Sequence, residues 1–233
     1  DNPGVFPRKI KYGTDNMAKG PAMSREEAVK AIEVGIGMVA DLKEKGYNVL
    51  ATGEMGIGNT TTSSAVCSVL LDQSVEKVTG KGAGLTNKDL EHKIEVIRQS
   101  IALNKVNADD PLDVLAKVGG LDIAGMAGCY IGGAALNIPV FIDGFISSVA
   151  ALIAIRLVPE CAPYLFPSHC SNEPAGRMIL DAIGKQPYIF ANMCLGEGTG
   201  AVMGFTIADY AFKAYWELPS FEQTNFGTYE ELN

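Results

Sequence analysis

The segment that most constrains this chain is residues 48–65, NVLATGEMGIGNTTTSSA, where a short apolar run leads into a glycine-rich loop and then a helix. The run over residues 48–52 has strand character, and three glycines follow at positions 53, 56 and 58. Glycine is needed where backbone N–H groups converge on one point, because it tolerates positive φ and lets a ligand approach the main chain. The free N–H groups and positive dipole end of the following helix favour an anion, most naturally a phosphate. The residues assigned to this phosphate loop are Gly56, Ile57, Gly58, Asn59 and Thr60.

Two common nucleotide-binding loops do not fit this segment, because it lacks both a Gly-Lys-Ser/Thr ending and the three spaced glycines of the dinucleotide fingerprint. For the loop alone, a tight turn between strand and helix without any ligand is an equal alternative. Glu54 favours a ligand, because it follows the strand at the sheet edge where open α/β proteins bind their substrates. It is either a ribose-binding or proton-handling group, or a solvated loop carboxylate.

The composition excludes several classes of protein. With 19 basic and 27 acidic residues the net charge is −8, so no general attraction to nucleic acid or to an anionic membrane is expected. The 47% hydrophobic content predicts a well-packed globular protein, and none of its apolar stretches is long enough for a membrane span. Five scattered cysteines without CxxC spacing indicate reduced thiols in the cytoplasm rather than disulfides or a metal site. The chain begins in a Pro/Gly/Lys segment without methionine, so we expect that an N-terminal portion is missing.

The rest of the chain alternates predicted helices with short apolar strands. Residues 1–23 read as an extended connection, and a capping box at Ser24 begins a helix that ends at Gly46. Further helices are predicted after Thr86 and Asp110, and residues 121–136 predict a small-residue helix that is central and buried. Strands are predicted over residues 138–142 and 164–166.

Four polar residues outside the first loop are candidates for the same site. Asp143 ends a strand and is, with equal weight, a ligand or a cap of the next helix. Lys93 lies one step from an apolar helix stripe, and its ammonium could extend toward a second glycine-rich loop at residues 78–85. The commoner alternative is a surface lysine whose stem lies over that stripe. Ser171 is a helix cap or a phosphate donor, and a nucleophilic pair of the adjacent His169 and Cys170 is disfavoured. Glu197, held between two glycines, is a base or an exposed loop glutamate.

Six motifs occur in one order: GEMGIGNTTT at 53–62, GKGAGL at 80–85, DPLDVLAKVGGLDIAGMAG at 110–128, PVFIDGF at 139–145, HCSNEP at 169–174 and LGEGTGA at 195–201. Together they resemble the nicotinate-nucleotide:dimethylbenzimidazole phosphoribosyltransferase family of cobalamin biosynthesis. The resemblance extends from about Lys9 to Trp216. The acidic tail after Pro219 does not match.

The resemblance implies a doubly wound, Rossmann-like parallel sheet with helices on both faces, plus a small helical domain built from the chain ends. It implies a homodimer that transfers phosphoribosyl from nicotinate mononucleotide to 5,6-dimethylbenzimidazole without metal or cofactor. Residues 1–23 would then be a connection, 24–205 the α/β phosphoribosyltransferase domain, and 206–233 a C-terminal helix and tail of the small domain. Glu197 matches the family's catalytic carboxylate. The positions that match its phosphate loop or nucleotide site are Gly56, Ile57, Gly58, Asn59, Thr60, Glu54, Lys93 and Ser171.

Two alternatives stay open on the sequence. The first is a related transferase that acts on another base, such as adenine, another benzimidazole or a phenol, because the part of the family that forms much of the benzimidazole pocket is absent here. The second is a non-catalytic module that binds a phosphate or nucleotide, which would need the glycine loop but not Glu197.

Overall fold

Three short parallel strands form the sheet in the described part of this protein. The computed structural model describes residues 4–82 and 84–224. The sheet order is β1 (Leu50–Ala51), β2 (Val140–Ile142) and β3 (Leu165–Pro167). The middle strand β2 is buried along its whole length, as a parallel strand covered by helices requires. The predicted α/β class and the parallel sheet are therefore confirmed, and the carboxyl ends of all three strands lie at one edge.

Nine α-helices surround this sheet within the described residues. They are α1 (Arg25–Glu44), α2 (Asn59–Leu70), α3 (Val75–Val78), α4 (Asn87–Asn104), α5 (Pro111–Val118), α6 (Leu121–Ala135), α7 (Phe145–Leu157), α8 (Gly176–Ala182) and α9 (Thr199–Glu217). Two 3-10 helices cover Pro159–Tyr164 and Phe221–Gln223. No helix in the described part has both the length and the apolar character needed to span a membrane.

The predicted helix starts are confirmed by their caps. Ser24 forms the complete capping box of α1, and the Thr86 and Asp110 side chains accept the first free N–H groups of α4 and α5. The short α3 was not predicted, because its four residues carry no recognisable period. Local cap chemistry therefore sets these three helix starts.

The small-residue helix α6 is central, as its glycines predicted. A Cβ on Gly35 of α1 would lie 2.0 Å from the Gly125 carbonyl oxygen, and one on Gly128 of α6 would lie 2.0 Å from the Ile32 carbonyl oxygen. The two helices are thus in backbone contact. On the side toward the sheet, the buried Tyr130 hydroxyl is 2.6 Å from the Thr52 hydroxyl. This contact fixes the end of β1 one residue before the glycine loop.

Candidate active site

The loops that follow the three strands meet at one edge of the sheet and form a cavity, together with the loop before α9. The cavity contains four of the predicted site residues, Glu54, Gly56, Thr60 and Ser171. Its other lining residues are Gly82, Gly144, Phe145, Ile146, His169, Glu173, Cys194, Leu195 and Gly196. The lining combines polar side chains, such as those of Thr60 and Ser171, with the apolar side chains of Phe145, Ile146 and Leu195. The cavity therefore offers both polar and apolar contacts to a ligand.

A buried lysine lies behind the polar lining residue Thr60. Lys93 is only 7% exposed, and its Nζ donates to Thr60 Oγ1 at 2.9 Å and to the Gly80 carbonyl oxygen at 3.0 Å. The alternative of a solvated surface lysine is wrong, because α4 lies against both glycine loops. Burial lowers the pKa of Lys93, and the nearby Glu173 opposes that effect. The ammonium thus stands directly behind Thr60 at the cavity wall.

The N-terminus of α2 is open to the same region. Its cap residue Gly58 has φ +75 and gives no side-chain hydrogen bond, and nothing lies within 4 Å of a Cβ built there. Ile57 is largely exposed beside it. Within the described residues, no side chain caps the first amides of α2. These amides are therefore free to receive an anion.

The Asn59 side chain, which is predicted to bind the phosphate, is hydrogen-bonded within the protein. The side chain is 8% exposed, and its Nδ2 donates to Glu54 Oε2 at 2.7 Å and to Asp122 Oδ2 at 2.8 Å. Glu54 Oε2 also accepts the Gly56 N–H at 2.6 Å. The Glu54 carboxylate therefore binds two of the donors that the sequence assigned to phosphate. Asp122 was missed, because it lies 63 positions from Asn59 in the chain.

The segment after β3 contributes Ser171 and Glu173. Ser171 is buried at the cavity wall and its Oγ accepts the Glu173 N–H at 3.3 Å. A Cβ on Gly80 would lie 2.0 Å from Glu173 Oε2, so this carboxyl packs on the second glycine loop. Burial raises the pKa of Glu173, and Lys93 opposes the rise. Glu173 and Gly82 were not among the predicted site residues, although the HCSNEP and GKGAGL motifs contain them.

Asp143 does not cap the helix that follows it. The cap residue of α7 is Gly144, without a side-chain hydrogen bond. The Asp143 carboxylate is instead 1% exposed and accepts backbone N–H groups of Gly198 at 3.0 Å, Gly200 at 2.7 Å and Ala201 at 3.2 Å. The capping alternative is therefore wrong for α7, and the carboxylate is bound to the start of α9.

Glu197 lies on a loop that packs against the Glu54 loop. Its backbone N–H donates to the Glu54 carbonyl oxygen at 3.1 Å, and a Cβ on Gly53 would lie 2.5 Å from the Gly198 nitrogen. The Glu197 side chain is exposed, and its φ is +59. The two predicted carboxylates thus stand on neighbouring loops, but of the two only Glu54 lines the cavity.

His169 belongs to the cavity wall rather than to a nucleophilic pair. It is buried, its Nδ1 is 3.0 Å from Ser168 Oγ, and burial lowers its pKa while Asp143 opposes that effect. The Cys170 Sγ is 3.9 Å from the Ser171 carbonyl oxygen. All five cysteines are free.

The comparisons with known proteins agree on one family. A family profile described as Phosphoribosyltransferase matches residues 2–226. The nicotinate-nucleotide–dimethylbenzimidazole phosphoribosyltransferase of Ruminiclostridium cellulolyticum is 55% identical over 232 residues, which are 100% of this chain and 66% of that protein. The enzyme of the same name from Acetivibrio thermocellus is 51% identical and is matched by 99% of this chain over 66% of its length. The chain thus spans about two thirds of the length of the curated relatives that it matches.

A solved structure has a similar fold. The crystal structure of CobT from Thermus thermophilus superposes with a TM-score of 0.92 at 35% sequence identity. The match covers 97% of this chain and 68% of that one.

Proposed function

Because this chain belongs to the nicotinate-nucleotide:dimethylbenzimidazole phosphoribosyltransferase family, we propose that it transfers phosphoribosyl from nicotinate mononucleotide to 5,6-dimethylbenzimidazole. The products are nicotinate and α-ribazole 5′-phosphate, in the branch of cobalamin biosynthesis that activates the lower base. The observation that carries this proposal is one cavity lined by Thr60, which accepts a hydrogen bond from the buried Lys93 ammonium, and by Glu54, whose loop contacts the loop of Glu197.

The cavity would work by anchoring the phosphate away from the reacting carbon. Lys93, Thr60, Ser171 and the first amides of α2 hold the phosphate, and the binding energy fixes the ribose against the incoming base. The bond from the anomeric carbon to the nicotinate nitrogen breaks, and its electron pair neutralises the pyridinium. The new bond forms from a benzimidazole nitrogen on the opposite face. Positive charge on the sugar in the transition state is stabilised by the Glu54 carboxylate.

Glu197 is proposed as the general base that removes the proton lost by dimethylbenzimidazole. Glu197→Gln should lower kcat by about 100- to 10,000-fold, the usual contribution of a positioned base. The Kd for nicotinate mononucleotide should stay within about twofold, because the phosphate site is intact. Steady-state kinetics and calorimetry on the same preparation measure both. If Glu54→Gln loses the turnover and Glu197→Gln keeps it, the two roles are reversed.

The activity itself is tested by incubating the purified protein with nicotinate mononucleotide and dimethylbenzimidazole. Chromatography with mass detection should find α-ribazole 5′-phosphate and an equal amount of nicotinate. Parallel reactions with adenine and a phenol, alone and in competition, test the related transferase of different base preference. A protein that binds the nucleotide but forms no product with any base would instead be a binding module.

The wider architecture is part of the same proposal. In the whole protein we propose a doubly wound sheet with helices on both faces, an α/β domain over residues 24–205 and a small helical domain that includes residues 206–233, of which 225–233 lie outside the described residues. The parallel strand order supports it, although α9 runs through the boundary as a single helix. We also propose a cytoplasmic homodimer, in keeping with the resemblance and the free thiols.

A further inference from the structure

We propose that Asp143 is a positioning residue for Glu197, an inference that rests on the proposed function. Asp143 follows β2, whereas Glu197 precedes α9, 54 positions later in the chain. The two residues meet because the loop before α9 crosses the carboxyl edge of the sheet. Asp143 itself is 1% exposed, so it acts on the reaction through the loop and not by touching substrate.

Both carboxylate oxygens of Asp143 are used to hold this loop. Oδ2 accepts the N–H of Gly198, the neighbour of Glu197, at 3.0 Å. Oδ1 accepts the N–H groups of Gly200 at 2.7 Å and Ala201 at 3.2 Å. Three charge-assisted hydrogen bonds therefore fix the backbone on the C-terminal side of Glu197.

The loop needs this support, because its backbone is strained at Glu197. A non-glycine residue at φ +59 is uncommon and persists only where the surroundings enforce it. Gly53 packs against Gly198. The His169 ring occupies the space beside Gly200, where an added Cβ would lie 2.0 Å from the ring Nδ1. Asp143 adds the three hydrogen bonds that hold the same loop.

The carboxylate also decides which of two helix N-termini is available to an anion. Both α2 and α9 begin after a glycine with positive φ, and neither cap residue supplies a side-chain acceptor. Asp143 already occupies the amides of α9, whereas those of α2 stay open. Since Asp143 occupies these amides of α9, they are not available to the Glu197 side chain, which is exposed.

The test is Asp143→Asn in the purified protein. An asparagine has one acceptor oxygen in place of two, and its amide group would oppose a backbone N–H. We expect kcat to fall by about 100-fold, as for a catalytic group displaced by about 1 Å. The KM for nicotinate mononucleotide should stay within about twofold, because the phosphate site is on other loops. In a Glu197→Gln background the same change should cost less than about threefold, because the two residues act through one group.

Asp110→Asn is the matched control, since Asp110 also accepts two helix N–H groups but caps α5 away from the cavity. It should lower stability and leave kcat unchanged. If Asp143→Asn fails to fold, Asp143→Glu takes its place. The kcat and KM of that variant are then measured alone and in the Glu197→Gln background. Normal turnover by the variant, or equal losses with and without Glu197, would overturn the positioning role.

Hydrogen exchange separates this inference from the proposed function. In Asp143→Asn, the amides of Gly198, Gly200 and Ala201 should exchange faster, and those at the start of α2 should not change. If the protein makes no α-ribazole 5′-phosphate but shows this local effect, the function is wrong and the anchoring of the Glu197 loop stands. Unchanged exchange at the three amides would refute the anchoring whatever the activity.

Discussion

At the scale of single residues, Lys93 is a buried cation whose acidic neighbour Glu173 lies beyond ion-pair distance. Its Nζ donates to a hydroxyl and a carbonyl oxygen, and within the described part of the chain no carboxylate lies at ion-pair distance. Burying an ammonium is unfavourable unless it is paired. A phosphate bound beside Thr60 would pair with the Lys93 ammonium. Binding would then relieve the unfavourable free energy of burying this charge, which increases the affinity for the nucleotide.

Lys93→Met keeps most of the apolar stem while removing the charge. We expect the Kd for nicotinate mononucleotide to rise at least tenfold, which is about 1.4 kcal/mol. Nicotinate riboside, which lacks the phosphate, should bind the variant and the parent equally well. Calorimetry with both ligands makes this comparison. Equal weakening for nucleotide and riboside would indicate lost packing rather than lost charge.

The pH dependence of binding has a definite sign at this residue. Burial lowers the pKa of Lys93 from its ordinary value of 10.5, so the free protein loses this positive charge at a lower pH than an exposed lysine would. Nucleotide affinity should therefore decline as the pH rises toward the lowered pKa. The Lys93→Met variant should lack this decline. An identical alkaline decline in both proteins would assign it to another group.

At the scale of elements, the contact between α1 and α6 holds the scaffold under the site. Two glycines of α1 offer a matched pair of changes. A Cβ on Gly35 would meet the Gly125 carbonyl oxygen at 2.0 Å, whereas Gly37 is exposed and has nothing within 4 Å. Gly35→Ala should destabilise the protein by about 1–3 kcal/mol through overpacking. Gly37→Ala should stabilise it by about 0.5–1 kcal/mol, because alanine is the better helix residue. Urea denaturation of both variants measures the difference, and similar effects of the two changes would contradict the close contact.

Helix starts and long-range contacts differ in how well the sequence predicted them. Helix starts at Ser24, Thr86 and Asp110 depend on contacts within a few residues, and all three were predicted. The partners of Asp143 and Asn59 lie 55 and 63 positions away, and neither contact was predicted. The sequence correctly placed Asp143 at the ligand edge. The loop that crosses this edge is determined by how α9 packs against the sheet. That packing depends on residues far apart in the chain, so no local sequence pattern predicts it.

At the scale of the whole molecule, the second half of α9 is exposed on all its faces. Its large exposed side chains are Tyr210, Phe212, Tyr215 and Trp216. An apolar patch of exposed large side chains on one helix is typical of an interface. A homodimer would place the same patch of a second copy against it, as twofold symmetry requires.

Trp216 reports on this interface, because it is the single tryptophan in the sequence and is 77% exposed in one copy. In a dimer that covers α9, its emission should be shifted to shorter wavelength and protected from iodide. Dilution should reverse both effects as the measured mass falls to that of the monomer.

Phe212→Glu should weaken the association at least tenfold, or about 1.4 kcal/mol, since it would place an unpaired charge in the interface. Glu222→Gln, at an exposed position beyond α9, is the control and should leave the association unchanged. A monomeric mass with Trp216 open to iodide at every concentration would rule out the dimer, and a monomeric mass with Trp216 protected would mean that the same polypeptide covers α9.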